Sequence, residues 1–509
     1  MLKSRHSMGM FRTLVAGFFT VAGLATMACS SAKSDADDNT PPSTDDDAGG
    51  GNDSGPTTDG GDVELPKPVF CPETNPFSPK NASSVVVSDV VLQKDETWTA
   101  DKVYLIGDDF KIENHTLTVE AGTTICLYQK GKIYVGQGID PGEIHLNGTK
   151  DKPIVITAPP KADDPTKPDV FHRGIQFDTY LGSTMSYVNI WYGGPGGGSA
   201  SPAFEITNTA HGTPDTKKPL LVDHLVVGAV QSKGIRIGTD LGIAESSAIQ
   251  FTGFGPRDGS SPALDAVAEI DVGASKSVAA AWNMAGATIP DEAKHVNLTN
   301  RQTEGKIQVD TDLVDFGLPY LWKNHLIMQV AGMQDDPIGP TFTIHEGVTL
   351  HMDGVLIIGG TSGTANGNLV IAGTAAKPVR LTSTSATPAS GDWEGLYFVT
   401  DHYDRTKTKI DHAEILYAGV DPDNGQQINH HVGRCGTNFV GAVMITGSGG
   451  TQYDGPTITN TKIAHSKSDG IVSDANTSNG FCKTDYGAAA LNNSFDDIAG
   501  QQLRNGTCL

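Results

Sequence analysis

Apolar residues recur along this chain as pairs spaced i, i+2, each enclosing one polar or variable position. Between residues 117 and 156 they are Leu117/Val119, Ile125/Leu127, Ile133/Val135, Ile144/Leu146 and Ile154/Ile156. A second series runs Phe342/Ile344, Leu350/Met352, Leu356/Ile358, Leu369/Ile371 and Val379/Leu381. Successive side chains of a strand point to opposite faces, so each pair predicts a short strand with two inward residues. The pairs recur every 8 to 13 residues, punctuated by Gly, Asn, Asp or Pro. An antiparallel sandwich and a stacked solenoid both suit that spacing. Sandwich hairpins call for longer strands joined by Asn-Gly or Asp-Gly turns. The strands here are very short and their cues repeat like rungs, which predicts a parallel β-helix.

The two series are one pattern written twice. Four of the five pairs superpose at an offset of 225, as do Gly148-Thr149 on Gly373-Thr374 and Lys152-Pro153 on Lys377-Pro378. The segment LNGTKDKPIVITA (146–158) therefore reappears as IAGTAAKPVRLTS (371–383). Further along, SYVNIWYGG (186–194) faces DHAEILYAG (411–419) at the same offset. The predicted organisation is one solenoid of two related halves, 98–310 and 311–509, with 67–97 capping the first coil. Two separate β-helices split near 290–310 are the alternative. About fourteen rungs at ~4.8 Å each predict a rod roughly 65 Å long.

Composition changes the picture mainly at the N-terminus. Sixty glycines in 509 residues suit a turn-rich β protein. A formal charge of −23 argues against a nucleic-acid partner, which needs a basic face. Ten acidic residues and one base between Ser30 and Glu64 hold −9 of it. Lys3, Arg5 and Arg12 followed by TLVAGFFTVAGLATMA (13–28) predict a signal peptide over 1–28, too short for a membrane span. The run 29–66 lacks the apolar residues to fold and predicts a disordered tether. Export to an oxidising compartment permits disulfides. Cys71 is expected to pin the N-terminal segment to Cys126, with two of Cys435, Cys482 and Cys508 paired near the C-terminus. The other reading of Cys126 is a small apolar core residue. No CxxC or Cys/His spacing predicts zinc.

Met27-Ala28-Cys29-Ser30 resembles the lipobox of bacterial lipoproteins, with Thr26 where that family usually has Leu. The resemblance implies an acylated Cys29 and a membrane partner, at the outer membrane or cell surface. An ordinary signal peptide cut near Ala28 would leave a free Cys29 on a periplasmic or secreted protein. LTVEAGTTI, FTIHEGVTL, the doubled GT…KP phrases, GDWEGLYF (391–398), HAEILYAG (412–419), ITNTKIAHSKSDGI (458–471) and VDHLVVGAVQSKGIRI (222–237) resemble right-handed parallel β-helix proteins of the pectate-lyase-like superfamily. The likeness covers about Trp98 to Phe495 and implies an all-β solenoid.

Enzymes of that superfamily act mostly on acidic polysaccharides. A hydrolase of the polygalacturonase kind implies Asn-Thr-Asp, Asp-Asp, Gly-His-Gly and Arg-Ile-Lys on successive coils. This chain offers only Gly107-Asp108-Asp109 and Gly234-Ile235-Arg236-Ile237, read as a turn and an ordinary strand. A lyase implies clustered carboxylates for calcium beside a basic side chain. The best candidates are Asp411, Glu414, Asp421, Asp423 and Arg434. Asp421-Pro-Asp423-Asn424-Gly425 resembles the start of a calcium loop, but Val432 stands where the bidentate acid belongs. His430-His431 are read as loop residues. No GxSxG, HExxH, GxxxxGK[ST] or helix-opening GxGxxG is present. Trp191, Tyr192, Trp393, Tyr397 and Tyr417 would suit either a sugar-stacking platform or packing under long loops. The expectation is thus a non-catalytic surface protein making adhesive, glycan or protein contacts without a cofactor. A polysaccharide lyase or hydrolase is the alternative, and a subunit of a larger surface complex a third.

Overall fold

The inward pairs stack as columns of side chains running through parallel sheets. Leu117 and Val119 pair with Ile144 and Leu146 on the next rung, and Phe342 and Ile344 pair with Leu369 and Ile371. All ten pairs are fully buried in one continuous core. Burying a Val, Leu or Ile side chain contributes about 1.5–3 kcal/mol, so the columns are the principal source of stability. The computed structural model describes residues 65–75, 79–128, 131–180, 182–195, 201–207, 220–238, 241–243, 249–257, 263–264, 266–272, 282–283, 287–299, 306–323, 327–332, 337–360, 365–399, 402–420, 432–434, 437–446, 454–473 and 484–504. All of these belong to the compact unit Asp62–Leu509. Cys29, Asp421, Asp423, His430, His431, Cys435, Cys482 and Cys508 lie outside them.

A parallel β-helix results. One sheet of thirteen parallel strands runs from Asp109–Ile112 to Ser494–Ile498 and spans both halves. A twelve-stranded sheet supplies the other two faces of the first half, curling between them within Thr184–Trp191 and Leu220–Val230. Five- and seven-stranded sheets supply the corresponding faces of the second half. Among the described residues the one antiparallel strand pair is Val432–Arg434 with Thr437–Phe439.

The halves are not stacked in phase. Thr116–Glu120, Thr124–Leu127 and Lys132–Val135 visit the two twelve-stranded faces and then the thirteen-stranded sheet. Their counterparts Thr341–His345, Thr349–Met352 and Val355–Ile358 visit the five-, thirteen- and seven-stranded sheets. The long sheet is therefore the third face of a first-half coil and the second face of a second-half coil. The duplicated pattern turns by one face where the halves join.

The doubled GT…KP phrase is a turn with one job in both halves. Thr149 and Lys152 exchange backbone hydrogen bonds, as do Thr374 and Lys377. Gly148 N donates to Ser186 O, and Gly373 N donates to Asp411 O, on the adjoining coil. A Cβ at Gly148 would sit 2.4 Å from Tyr187 O, and one at Gly373 would sit 2.1 Å from His412 O. Only glycine fits against the next corner.

The expected Cys71–Cys126 disulfide is formed, with Cα atoms 5.6 Å apart. Cys126 lies between the inward residues Ile125 and Leu127 and so faces outward, where it meets Cys71 in a cluster with Leu105 and Tyr128.

Candidate contact site at the coil corners

Turning a coil of short strands requires sharp bends, and single left-handed residues make them. Of the eleven non-glycine residues with positive φ among those described, ten form five pairs spaced five apart. They are Tyr187/Tyr192, His224/Ala229, His412/Tyr417, Asn460/His465 and Asn492/Asp497. Each pair encloses the four residues of one extended segment, a separate strand at Ala413–Leu416 and part of a longer, bent strand within Thr184–Trp191 and Leu220–Val230. The left-handed region costs most L residues about 1–2 kcal/mol, with Asn and Asp the usual exceptions. Tyr187, Tyr192 and Tyr417 occupy it because packing over-determines the bend.

Two columns of corner side chains form outward stacks. The Tyr187 ring lies on the His224 imidazole at 4.2 Å and 9°, and His224 Nδ1 is 2.6 Å from Asp223 Oδ1. In the second half Tyr417 lies on His465 at 4.8 Å and 11°, with His465 Nδ1 2.7 Å from Asp497 Oδ2. The His224 and His465 side chains are 38% and 36% exposed, so both stacks are open to solvent. Each sets a tyrosine, an imidazole and a carboxylate side by side at the surface, hydrogen-bonding groups that a sugar's hydroxyls can meet.

The residues singled out in the sequence fall differently. Asp411 and Glu414 flank corner His412 on two different faces, in strands Lys409–Asp411 and Ala413–Leu416. Both oxygens of interest are engaged. Arg380 Nε and Nη2 donate to Glu414 Oε2 at 2.8 and 2.7 Å. Asp411 Oδ1 accepts from Asn460 Nδ2 at 2.8 Å and Thr459 Oγ1 at 2.9 Å. Burial pushes the Asp411 carboxyl up, but those bonds and the His412 ring outweigh it and hold it below the ordinary value. Arg434 ends the antiparallel pair.

Among the aromatics, Trp191 and Trp393 are fully buried and offer no face to a ligand. Trp393 Nε1 donates to Leu416 O at 2.7 Å from within the main core. Trp191 packs with Tyr192 in an outer cluster beneath Phe70 and Phe171. Tyr397 is half-buried against Val440, Met444 and Val472. Tyr417 alone of the four proposed stacking rings belongs to an open stack.

A buried ion ladder crosses the outer face of the thirteen-stranded sheet, and no sequence motif announces it. Lys132 Nζ lies 2.9 Å from Glu205, Arg236 Nη1 lies 2.8 Å from Glu205, and Arg236 Nε lies 3.2 Å from Glu269. Lys233 completes the row on Glu269. Parallel register places Glu205, Arg236 and Glu269 on successive rungs. Arg236 thus belongs to an ordinary strand, as Gly234-Ile235-Arg236-Ile237 suggested, with a charged partner on each side. Asp109 of the Gly-Asp-Asp triplet holds Arg173 Nη1 at 2.9 Å, and Arg173 Nη2 donates to Tyr134. Burial pushes the Lys132 ammonium down, against the pull of Glu205.

His172 is another residue the sequence did not flag. It is completely buried; Nε2 is 2.8 Å from Trp191 O, while Nδ1 accepts from Gly174 N at 2.9 Å. That pattern fits the neutral tautomer protonated on Nε2, and burial pushes its pKa down to about 4. Among the described residues no group of three or more His, Cys, Asp or Glu side chains is arranged to hold a metal ion. Nor is any described helix long and apolar enough to cross a membrane. No family model, curated protein or solved structure matches this chain.

Proposed function

We propose that this protein is an exported β-helix lipoprotein, of the pectate-lyase-like kind, that holds a rigid surface out for contact with glycans or surface proteins. The observation that carries the reading is the pair of open Tyr–His–carboxylate stacks, Tyr187/His224/Asp223 and Tyr417/His465/Asp497. Each is fixed by a left-handed corner, so its rings are pre-organised and a ligand meets little ordering cost. The leader and Ala28-Cys29 support anchoring through an acylated Cys29, with the acidic run to residue 66 as a spacer.

Two measurements test this. A glycan array probed with the mature protein is expected to give ligands whose binding falls at least tenfold in Tyr417→Ala or His224→Ala. Binding unchanged in both variants removes the stacks as the contact site. Reducing or unsaturated ends released from uronate-rich glycans would replace the binding reading with a catalytic one. Metabolic acyl labelling is expected in the unaltered protein and lost in Cys29→Ala; label retained in the variant excludes that anchor.

A further inference from the structure

The segment Val69–Glu73 does not approach the solenoid from its end. It lies along the outside and meets the second-face strands in descending order. Phe70 stacks on Tyr192, which follows Thr184–Trp191, at 4.5 Å and 5°. Thr157 Oγ1 donates to Val69 O, and Cys71 N donates to Ala158 O at 2.9 Å, at the end of Ile154–Thr157. Cys71 is bonded to Cys126 of Thr124–Leu127 and packs on Leu105 of Val103–Ile106. Tyr128 Oη donates to Glu73 O at 3.1 Å. The Glu73 carboxylate receives Asn81 N at 2.6 Å and Ser84 Oγ at 2.9 Å, at the start of the edge strand Ser84–Val87. Four residues of this segment thereby touch five successive rungs, and from Phe70 to Glu73 they run opposite to the direction in which the coils are wound.

We propose that this strap is a mechanical clamp, which passes any pull arriving ahead of Leu65 into the third to fifth rungs and shields the edge strand from peeling. A parallel edge strand loaded at its end opens one hydrogen bond at a time, whereas a strap lying across rungs is loaded in shear through all its contacts at once. The covalent link sits at the middle of the strap and is almost fully buried, Cys71 at 2% and Cys126 at 0% exposure. Pull therefore bypasses the 55-residue separation between the two sulfurs. The clamp does not depend on what lies ahead of Leu65, and so stands apart from the glycan-contact and lipid-anchor readings.

Single-molecule pulling tests it on the full, oxidised chain. One arm places handles ahead of Leu65 and at the C-terminus. A second moves the first handle, through an unnatural side chain, to the exposed Asp89 beyond the strap. The expected result is a first rupture at clearly higher force from the Leu65 side. Equal first-rupture forces along the two axes overturn the clamp. Cys71→Ser/Cys126→Ser supplies the complementary arm. Its first event is expected at lower force, with about 190 Å of added contour length at ~3.5 Å per residue. Added length at unchanged force would show that the disulfide shortens the chain without clamping it, and would also overturn the proposal. If the double variant does not fold, the two-axis comparison decides alone.

Discussion

Lys132 Nζ and Glu205 Oε2 meet at 2.9 Å on the outside of a solenoid, yet only 3% and 7% of their side chains are exposed. An outward position has become an interior one. Removing one partner of a buried pair leaves an uncompensated charge and costs about 3–5 kcal/mol. Glu205→Gln is therefore expected to lower the unfolding free energy by that amount, read as a lower urea midpoint at an unchanged slope. Lys132→Met/Glu205→Leu is expected to recover much of the loss. A Glu205→Gln midpoint within experimental error of the parent would show the ladder to be solvated.

His172 gives the protein an acid-sensitive term. Its folded pKa is about 4 against 6.5 unperturbed, so the unfolded chain binds more protons between those values. Stability from this group is complete above pH 6.5 and lost as pH falls towards 4, about 3 kcal/mol in all. Melting temperature followed from pH 7.5 to 4 is expected to fall more steeply in the parent than in His172→Gln. The variant is expected to be less stable at pH 7, having lost the bonds to Trp191 O and Gly174 N. Parallel pH profiles for the two proteins contradict the assignment.

At Asn460 the order of substitutions should invert that of strand propensity. Asn460 has φ 49° between strands Thr457–Thr459 and Lys462–Ser466. Valine favours strands but is strained in the left-handed region, which glycine enters freely. Calorimetry is expected to show Asn460→Val destabilised by about 1–2 kcal/mol beyond Asn460→Gly. The reverse order would mean that the corner relaxes away from its left-handed conformation.

The inward pairs were fully legible in the sequence because period-two alternation is local and ten pairs repeat it. The Cys71–Cys126 link was expected from proximity in an exported chain; that Cys126, set between two inward residues, faces out is seen only in the structure. Asn460 of ITNTK lies in the segment quoted for its resemblance to β-helix coils, and it makes a left-handed bend. Tyrosine and histidine corners had no such signal, because left-handed backbone is announced mainly by glycine and asparagine. The ion ladder was hidden by distance. Lys132 and Glu205 are 73 residues apart, and the strand around Arg236 reads as an ordinary one. For Trp191 and Trp393, of the two readings open in the sequence, packing is the one the structure shows, with a cover over each and the Leu416 carbonyl accepting from Trp393.

Trp393 separates packing from recognition. Trp393→Phe keeps the ring in the core but removes the donor to Leu416 O, at a cost of about 1–3 kcal/mol. Thermal stability is expected to fall while any glycan affinity stays as in the parent. Lost affinity with an unchanged melting temperature would give the indole a ligand-facing role.

The one-face slip between the halves has a consequence for valency. Residues 225 apart in sequence are separated by whole coils plus one face, so twin features sit at different azimuths around the rod. Tyr187 and its counterpart His412, or Tyr192 and Tyr417, never share a line parallel to the axis. A straight filament laid along the rod reaches one member of each pair. A partner that engages both copies has to wind around the shaft, following the helical sense that the slip itself defines.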